Sequence, residues 1–320
     1  MSSDHLTIAS ADAAAGDSED QVSRPRRKSR SSHLNRLVHT VKWFALRQLY
    51  RWDLTTVRRK LGCEPFARIL AQYPEIPLKI VRPYLTLGLR RRHRVAALLG
   101  HYDTASRLLS DTALIESHTD GLELYVATTA AGSVAVKLTG QGGLHREGEW
   151  RLVLCLDGRP IAEMAVAIVD RSLLRIKGIG DILLIGALKA ASPAGEGLRD
   201  ARVLTGAMEG MRPKTLLLLV AQATAKSLGL SGLAAVSNAG HVFAADYSLR
   251  RRISADYDGF WKESAGYRIN PMIFALPMAK AQRDPAEYKP NKRSQVRRRQ
   301  GLEDQITQTV RTAVMSLRRK

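Results

Sequence analysis

Apolar and polar positions follow two periods along this chain, and the change of period divides it. From Leu34 to Leu49, apolar residues recur at three- and four-residue steps (Leu34, Leu37, Val38, Val41, Ala45, Leu49) with Lys42, Arg47, Arg51 and Arg58 interleaved, which predicts an amphipathic basic helix. Trp43, Phe44, Tyr50 and Trp52 crowd the same stretch, so the helix either packs its stripe on the body or lies on anionic lipid. Helical spacing continues over about residues 62–117, broken by prolines at 65, 74, 77 and 83.

From Gly121 the period becomes two. Leu122–Val126 and Val134–Leu138 read as strands. Trp150–Leu156, Asp157-Gly158-Arg159 and Pro160–Val169 read as a hairpin, because Asp-Gly between apolar runs supplies the turn such a hairpin needs. A further strand is expected at Leu173–Lys177, continuing past Gly178 and Gly180 into Ile182–Ile185, with those glycines marking a bulge or bend beside a site. Residues 190–197 read as a loop and 198–208 as a helix. A proline-started apolar helix runs from Arg212-Pro213-Lys214 to Gly229. Short strands follow at Leu233–Asn238 and Met272–Leu276, on either side of an aromatic segment, Asp256–Trp261. The pattern predicts an α+β (or α/β) chain: a tail over 1–33, a helical region over 34–117, a mixed and largely antiparallel sheet domain over 121–278, and a basic, partly helical tail over 279–320.

Charge sharpens this division. The chain has 320 residues, 45% of them hydrophobic, and a formal net charge of +20. Residues 1–23 carry five acids and no Lys or Arg; residues 24–60 carry twelve Lys or Arg against Asp53; residues 280–320 carry twelve against four acids. The excess therefore sits on the flanks, and the middle is ordinary for a globular domain. Residues 1–33 are too poor in large apolar side chains to repay the entropy of ordering. Two cysteines, Cys63 and Cys155, make no disulfide framework and are expected as buried thiols of a cytosolic protein. His93 and His101 have no third partner at ligand spacing, so no metal site is expected. Neither a basic-then-apolar leader nor a bilayer-length apolar run is present. The expected location is cytoplasmic, with peripheral attachment at the inner membrane as an option.

An ordered set of short motifs carries a resemblance. Tyr73-Pro74, Lys79, Pro83-Tyr84, Arg90, Leu98 and His101-Tyr102 precede Asp157-Gly158-Arg159-Pro160, Leu204-Thr205 and Met211-Arg212-Pro213-Lys214. Val236-Ser237-Asn238, His241, Asp256-Tyr257-Asp258, Phe260-Trp261, Leu276-Pro277, Lys292-Arg293 and Arg297-Arg298-Arg299 complete it. Over about residues 36–315 this resembles the VirK/YbjX family of Gram-negative bacterial proteins. It departs from that family at Leu188-Lys189-Ala190, where members tend to carry a Gln-Gly pair. The resemblance implies a context of virulence, antimicrobial-peptide resistance and envelope or stress response. It does not imply a chemistry.

Three chemistries fit the residues. The order hairpin, strand, helix, strand, aromatic segment, strand is similar to that of the GNAT acetyltransferase superfamily. That similarity implies that the helix starting at Arg212-Pro213-Lys214 would receive the pyrophosphate of coenzyme A or an acyl-CoA on its free N–H groups, with Arg212 and Lys214 adding charge-assisted contacts. Asn238 and Tyr267 then occupy positions like the superfamily's Asn and its closing aromatic. Against it, Glu209-Gly210-Met211-Arg212 holds one glycine where a phosphate loop needs several, and Glu209 would repel phosphate. Glu163, interrupting an apolar strand, is the candidate general base, with an exposed strand carboxylate as the plainer reading. Asp256 and Asp258 flank Tyr257 like paired acids, although acids beside Gly259 more often cap or turn a chain. His241, Asp256, Tyr257 and Trp261 join Arg212, Lys214 and Asn238 as expected ligand contacts, so these loops should meet in space.

The second chemistry, which the charge map and the family context favour over the other two, is binding without catalysis, the basic flanks meeting anionic membrane, an acidic protein partner or lipopolysaccharide precursors. The third is unspecific nucleic-acid binding through Arg26-Arg27-Lys28 and Arg297–Arg299, unaccompanied by any helix-turn-helix, zinc-finger or RNA-recognition signature.

Overall fold

A computed structural model describes residues 45–140, 142, 144–190, 196–244 and 255–319. The tail 1–33, the helical pattern as far as residue 44, and most of the loop expected at 190–197 lie outside the described residues. The unit from Leu49 to Lys320 carries the architecture below.

α1 (Arg51–Leu61) turns Leu54, Val57 and Leu61 inward and Arg58, Arg59 and Lys60 outward, as a three-and-four spacing requires. Pro65 stands before α2 (Phe66–Gln72), and Pro77 belongs to a 3-10 turn over Ile76–Val81. α3 (Arg91–Leu108) buries Leu98, His101, Tyr102 and Ala105 along one stripe. Ser110 then caps α4 (Asp111–Glu116), its hydroxyl accepting from the Ala113 amide at 3.2 Å. The Arg90–Arg94 run is only partly a solvated face. Arg91 pairs with Asp53, and half-buried Arg94 donates to the carbonyls of Leu89 and Arg82 at 3.0 and 2.9 Å.

The sheet comprises β1 (Leu122–Thr129), β2 (Gly132–Thr139), β3 (Trp150–Leu156), β4 (Arg159–Asp170), β5 (Asp181–Ala190), β6 (Leu233–Val236), β7 (Tyr267–Asn270) and β8 (Ile273–Leu276). Their spatial order is β1-β2-β3-β4-β5-β6-β8-β7, antiparallel throughout except for the parallel pair β5/β6. The β3–β4 hairpin turns at Asp157 and Gly158, both at positive φ (49° and 77°), the geometry an Asp-Gly turn provides. β4 packs against both α3 and α6 and is buried from Ile161 to Val169 except at Glu163, which explains its nearly continuous apolar run.

α5 (Glu196–Ala207) and α6 (Pro213–Ser227) connect β5 to β6. α6 is apolar on all sides because the sheet lies on one side and α8 (Pro290–Leu317) on another; α8 seats Ile306, Val310 and Val314 against α6 and β1. α7 (Tyr257–Glu263) precedes the β7–β8 hairpin. The α+β class is therefore as the pattern predicts.

Two local expectations need correction. Leu173–Lys177 is not a strand. The Asp170 carboxylate accepts from the Ser172 amide and starts a 3-10 turn over Arg171–Leu174, which Arg175 ends in the left-handed region. The cysteines are not buried: Cys63 is exposed just past α1, and Cys155 is half-buried on the wetter face of β3. Among the described residues no helix is long and apolar enough to cross a membrane, and no group of His, Cys, Asp and Glu is placed to hold a metal ion.

Candidate functional site

The sheet parts at one place. β5 and β6 pair from Leu183↔Leu233 to Ile185↔Ala235 and then separate, while β5 runs on beside β4 to Ala190. At that point β5 is bulged: Ala165 pairs with Ala187 and Val166 with Ile185, which leaves Gly186 as the extra residue. The chain bends at Gly178 and Gly180, both at positive φ (100° and 98°), as their spacing predicts, and the bulge lies further on, at Gly186. A gap between the carboxyl ends of two parallel strands, with connections leaving in different directions, is where sheets of this kind hold ligands.

The segment between β2 and β3 crosses this gap. Two glycines permit the approach. A Cβ on Gly186 would lie 1.8 Å from the Glu147 carbonyl oxygen, and one on Gly148 would lie 2.7 Å from the Val166 amide nitrogen. Arg146 anchors the segment: its carbonyl accepts from Leu85 N–H at 2.7 Å, its Nε donates to the Pro83 carbonyl at 3.1 Å, and its guanidinium stands 4.7 Å over the Phe243 ring. Glu147 is buried at the gap. Burial pushes its carboxyl pKa up, against opposing pulls from neighbouring backbone N–H groups, Arg146 and Lys79.

Aromatic rings fill the far side. His241 stacks on Tyr257 at 5.5 Å, and Tyr257 on Trp261 at 6.2 Å. Trp261 Nε1 donates to the Val236 carbonyl at the end of β6, at 2.9 Å, and the Tyr257 hydroxyl accepts from Leu188 N–H in the free part of β5, at 3.4 Å. Burial raises the Tyr257 pKa, and nearby Glu147 raises it further. His241 is pushed down to about 4, by burial first and by Arg146 second. Asn238 holds this arrangement by a reciprocal pair: its amide N–H donates to the Asp258 carboxylate at 2.9 Å, and its side-chain oxygen accepts from the Asp258 amide at 3.0 Å. Asp256 caps α7 through the Gly259 amide.

Two residues beyond Glu147, Glu149 points into a different environment. Its carboxylate accepts from Lys79 Nζ at 2.8 Å, from the Tyr84 hydroxyl at 2.7 Å and from the Tyr102 hydroxyl at 2.9 Å. His118 Nε2 lies 3.4 Å from the Tyr102 hydroxyl, and Ser117, beside the other ring nitrogen, accepts from Trp150 Nε1 at 3.1 Å. His101 accepts from the Ile168 amide at 3.0 Å, and its Nε2 has no partner among the described residues. Burial pushes both histidines down, His118 to about 4, and holds Tyr84 and Tyr102 well above the usual phenol range with Glu149 reinforcing it. Lys79, Tyr84, His101 and Tyr102 are residues that carry the sequence resemblance, and they converge here.

The expected site residues divide accordingly. Asn238, His241, Asp256, Tyr257 and Trp261 gather at the end of β6. Arg212 reaches the other end of α7, pairing with Glu263 at 3.1 Å across the surface, and Lys214 follows in the first turn of α6. Glu163 is engaged by Arg151 and Lys189 on the neighbouring strands, so it is no free base. Tyr267 is 69% exposed at the start of edge strand β7. Arg146, Glu147 and Glu149 belong to no motif or periodic pattern in the sequence. The signal available was Gly142-Gly143 and Gly148 placed around His145-Arg146-Glu147, a glycine-spaced polar stretch between two strands.

A family model described as "Protein of unknown function (DUF535)" matches residues 32–312. The chain is similar to the Escherichia coli (strain K12) protein described as "Uncharacterized protein YbjX", 29% identical over 249 residues, covering 74% of this chain and 72% of that one. No solved structure matches.

Proposed function

The chain belongs to the VirK/YbjX family, the DUF535 proteins, and from that premise we propose that its sheet serves acyl transfer from a coenzyme A thioester to an amine. The observation that carries this reading is the parting of β5 and β6 at bulged Gly186, with Glu147 and Tyr257 on its two sides. The order β3–β4 hairpin, β5, α6, β6, α7, β7–β8 supports it, being the order that resembles the GNAT superfamily.

The chain's residues fit coenzyme A at the start of α6. Pro213 gives up no hydrogen bond there, the Lys214 amide has no acceptor among the described residues, and Arg212 and Lys214 add positive charge. Glu209, which would repel phosphate, is paired with Arg298 at 3.2 Å. A bound acyl thioester would supply the activated acyl carbon. Glu147, with its raised pKa, takes the proton the attacking amine loses. Tyr257 holds its hydroxyl at the Leu188 amide, a buried donor in the part of β5 that does not pair with β6. The aromatic stack and Arg146 keep water from both groups. We place this chemistry in the virulence, antimicrobial-peptide or envelope-stress response of the bacterium, in the cytoplasm at the inner membrane face.

The test is thermal melting with acyl-CoA. A ligand that binds only the folded chain raises Tm by mass action. Arg212→Ala with Lys214→Ala should remove most of that rise, while Glu147→Gln should keep the rise and lower transfer by about 10²-fold or more. No rise at millimolar acyl-CoA overturns the reading.

A second reading, association with an anionic membrane through basic surface, is favoured by α1. Trp52 is 69% exposed there, with Arg51 4.9 Å over its ring and Arg58, Arg59 and Lys60 exposed on the same helix. Sedimentation with anionic liposomes, strong at low salt and lost above about 0.5 M, distinguishes it. Competition by duplex DNA reports any unspecific nucleic-acid binding.

A further inference from the structure

A groove of about 690 Å³ lies between α6, the carboxyl end of α7, the 277–288 segment and α8. Its floor is apolar: Leu218, Leu219, Phe260, Pro277 and Val296 line it. Its walls are tied together. Lys280 and Arg299 both reach the Glu303 carboxylate, at 2.7 and 3.1 Å, and that side chain is only 5% exposed. Arg299 also donates to the Gly210 carbonyl at 3.1 Å, fixing α8 to the turn before α6.

The charges do not balance. Each of the three acids in the lining already has a cation: Glu209 has Arg298, Glu263 has Arg212, and Glu303 has two. Arg283 and Lys292 also line the groove, are exposed, and have no carboxylate within ion-pair distance among the described residues. The groove thus presents an apolar trough with two uncompensated cations at its edge, within the size range of small-molecule sites.

We infer that this groove binds a monoacyl phosphate lipid released from the membrane, its single chain on the Leu218–Val296 floor and its phosphate monoester between Arg283 and Lys292. A phosphate monoester carries a charge of about −1.5 to −2 near neutral pH, which two free cations match and a fatty-acid carboxylate does not. The inference goes beyond the acyl-transfer reading and does not rest on it: the groove shares Arg212, at the start of α6, with the place proposed for coenzyme A, but neither Glu147 nor Tyr257 takes part and the phosphate sits at Arg283 and Lys292.

The experiment is displacement of the fluorescent fatty acid cis-parinarate from the full chain by lysophosphatidate below its micelle concentration. Lysophosphatidate should displace the probe at a concentration at least tenfold below that of a monoacylglycerol with the same chain. Arg283→Glu with Lys292→Glu should abolish that preference, both residues being exposed and safe for folding, while Glu147→Gln leaves it intact. Val296→Trp, which fills the floor from a half-buried position near the start of α8, should remove probe binding at an unchanged melting temperature. Equal displacement by the neutral monoacylglycerol, complete displacement by inorganic phosphate or by coenzyme A lacking an acyl group, or no probe binding at all would each overturn the inference.

Discussion

Glu147 and Glu149 are two residues apart in one segment, both buried, and the molecule treats them in opposite ways. Glu149 meets an ammonium and two phenol hydroxyls within 2.9 Å, so its carboxylate oxygens have donors where they lie. Glu147 accepts from the Arg146 backbone N–H at 3.1 Å and has no phenol or ammonium donor at hydrogen-bond distance among the described residues, and burial raises its pKa. One carboxylate therefore fastens the helical region to the sheet through Lys79, Tyr84 and Tyr102. The other stands at the sheet's opening in a state that can accept or release a proton. Burial alone does not separate a structural charge from a reactive one; the number and kind of donors around it does.

The largest effect should come from the fastening side. Glu149→Ala leaves Lys79 and two tyrosine hydroxyls buried without their acceptor and should cost about 3–5 kcal/mol in urea unfolding. A loss under about 1 kcal/mol would erase the distinction. Acid comes next. His118 and His241 ionise near pH 4 in the folded chain and near 6.5 when unfolded, so the unfolded chain binds protons first. Stability is full above pH 6.5 and falls as the pH drops toward 4, by up to roughly 3 kcal/mol for each histidine. Urea midpoints measured across that window check this, and His118→Gln should flatten the fall more on the fastening side than any change at Glu147. Tyr257→Phe should cost about 0.5–1.5 kcal/mol, since the Leu188 amide loses its acceptor. Glu147→Gln should lie within about 1 kcal/mol of the parent. Because a raised carboxyl pKa makes stability fall as pH rises through it, this variant should gain relative to the parent from acid toward neutral pH, and calorimetry at two pH values reads the sign.

The legibility of this molecule follows the range of its interactions. The Asp157-Gly158 hairpin, the proline-started α6 and the strand on each side of α7 are written in local spacing and turn chemistry, and they read correctly. The gathering of Asn238, His241, Tyr257 and Trp261 was legible because one short helix carries half of it. Gly186 was not legible as a bulge. Its irregularity exists only against β4, and its need for glycine comes from Glu147, 39 positions earlier in the chain. Glu147 and Glu149 looked like loop polarity for the same reason: their partners at Lys79, Tyr84, Tyr102 and Tyr257 arrive from distant elements. Leu173–Lys177 misled because apolar content outvoted the Asp170 cap.

The seat of α8 has a consequence in the time of synthesis. Ile306, Val310 and Val314 cover α6 and β1, and the chain just beyond, at Leu317 and Arg319, is clipped to Ser110 and Leu108 by backbone hydrogen bonds. The sheet can be complete at β8, yet the cover follows some forty residues later. At about 5–20 residues per second, that leaves seconds in which the outer face of an all-apolar helix is bare on the ribosome. The helix that closes the fold is thus made after every element it covers, and a nascent chain paused before residue 306 is a substrate for chaperones or for aggregation.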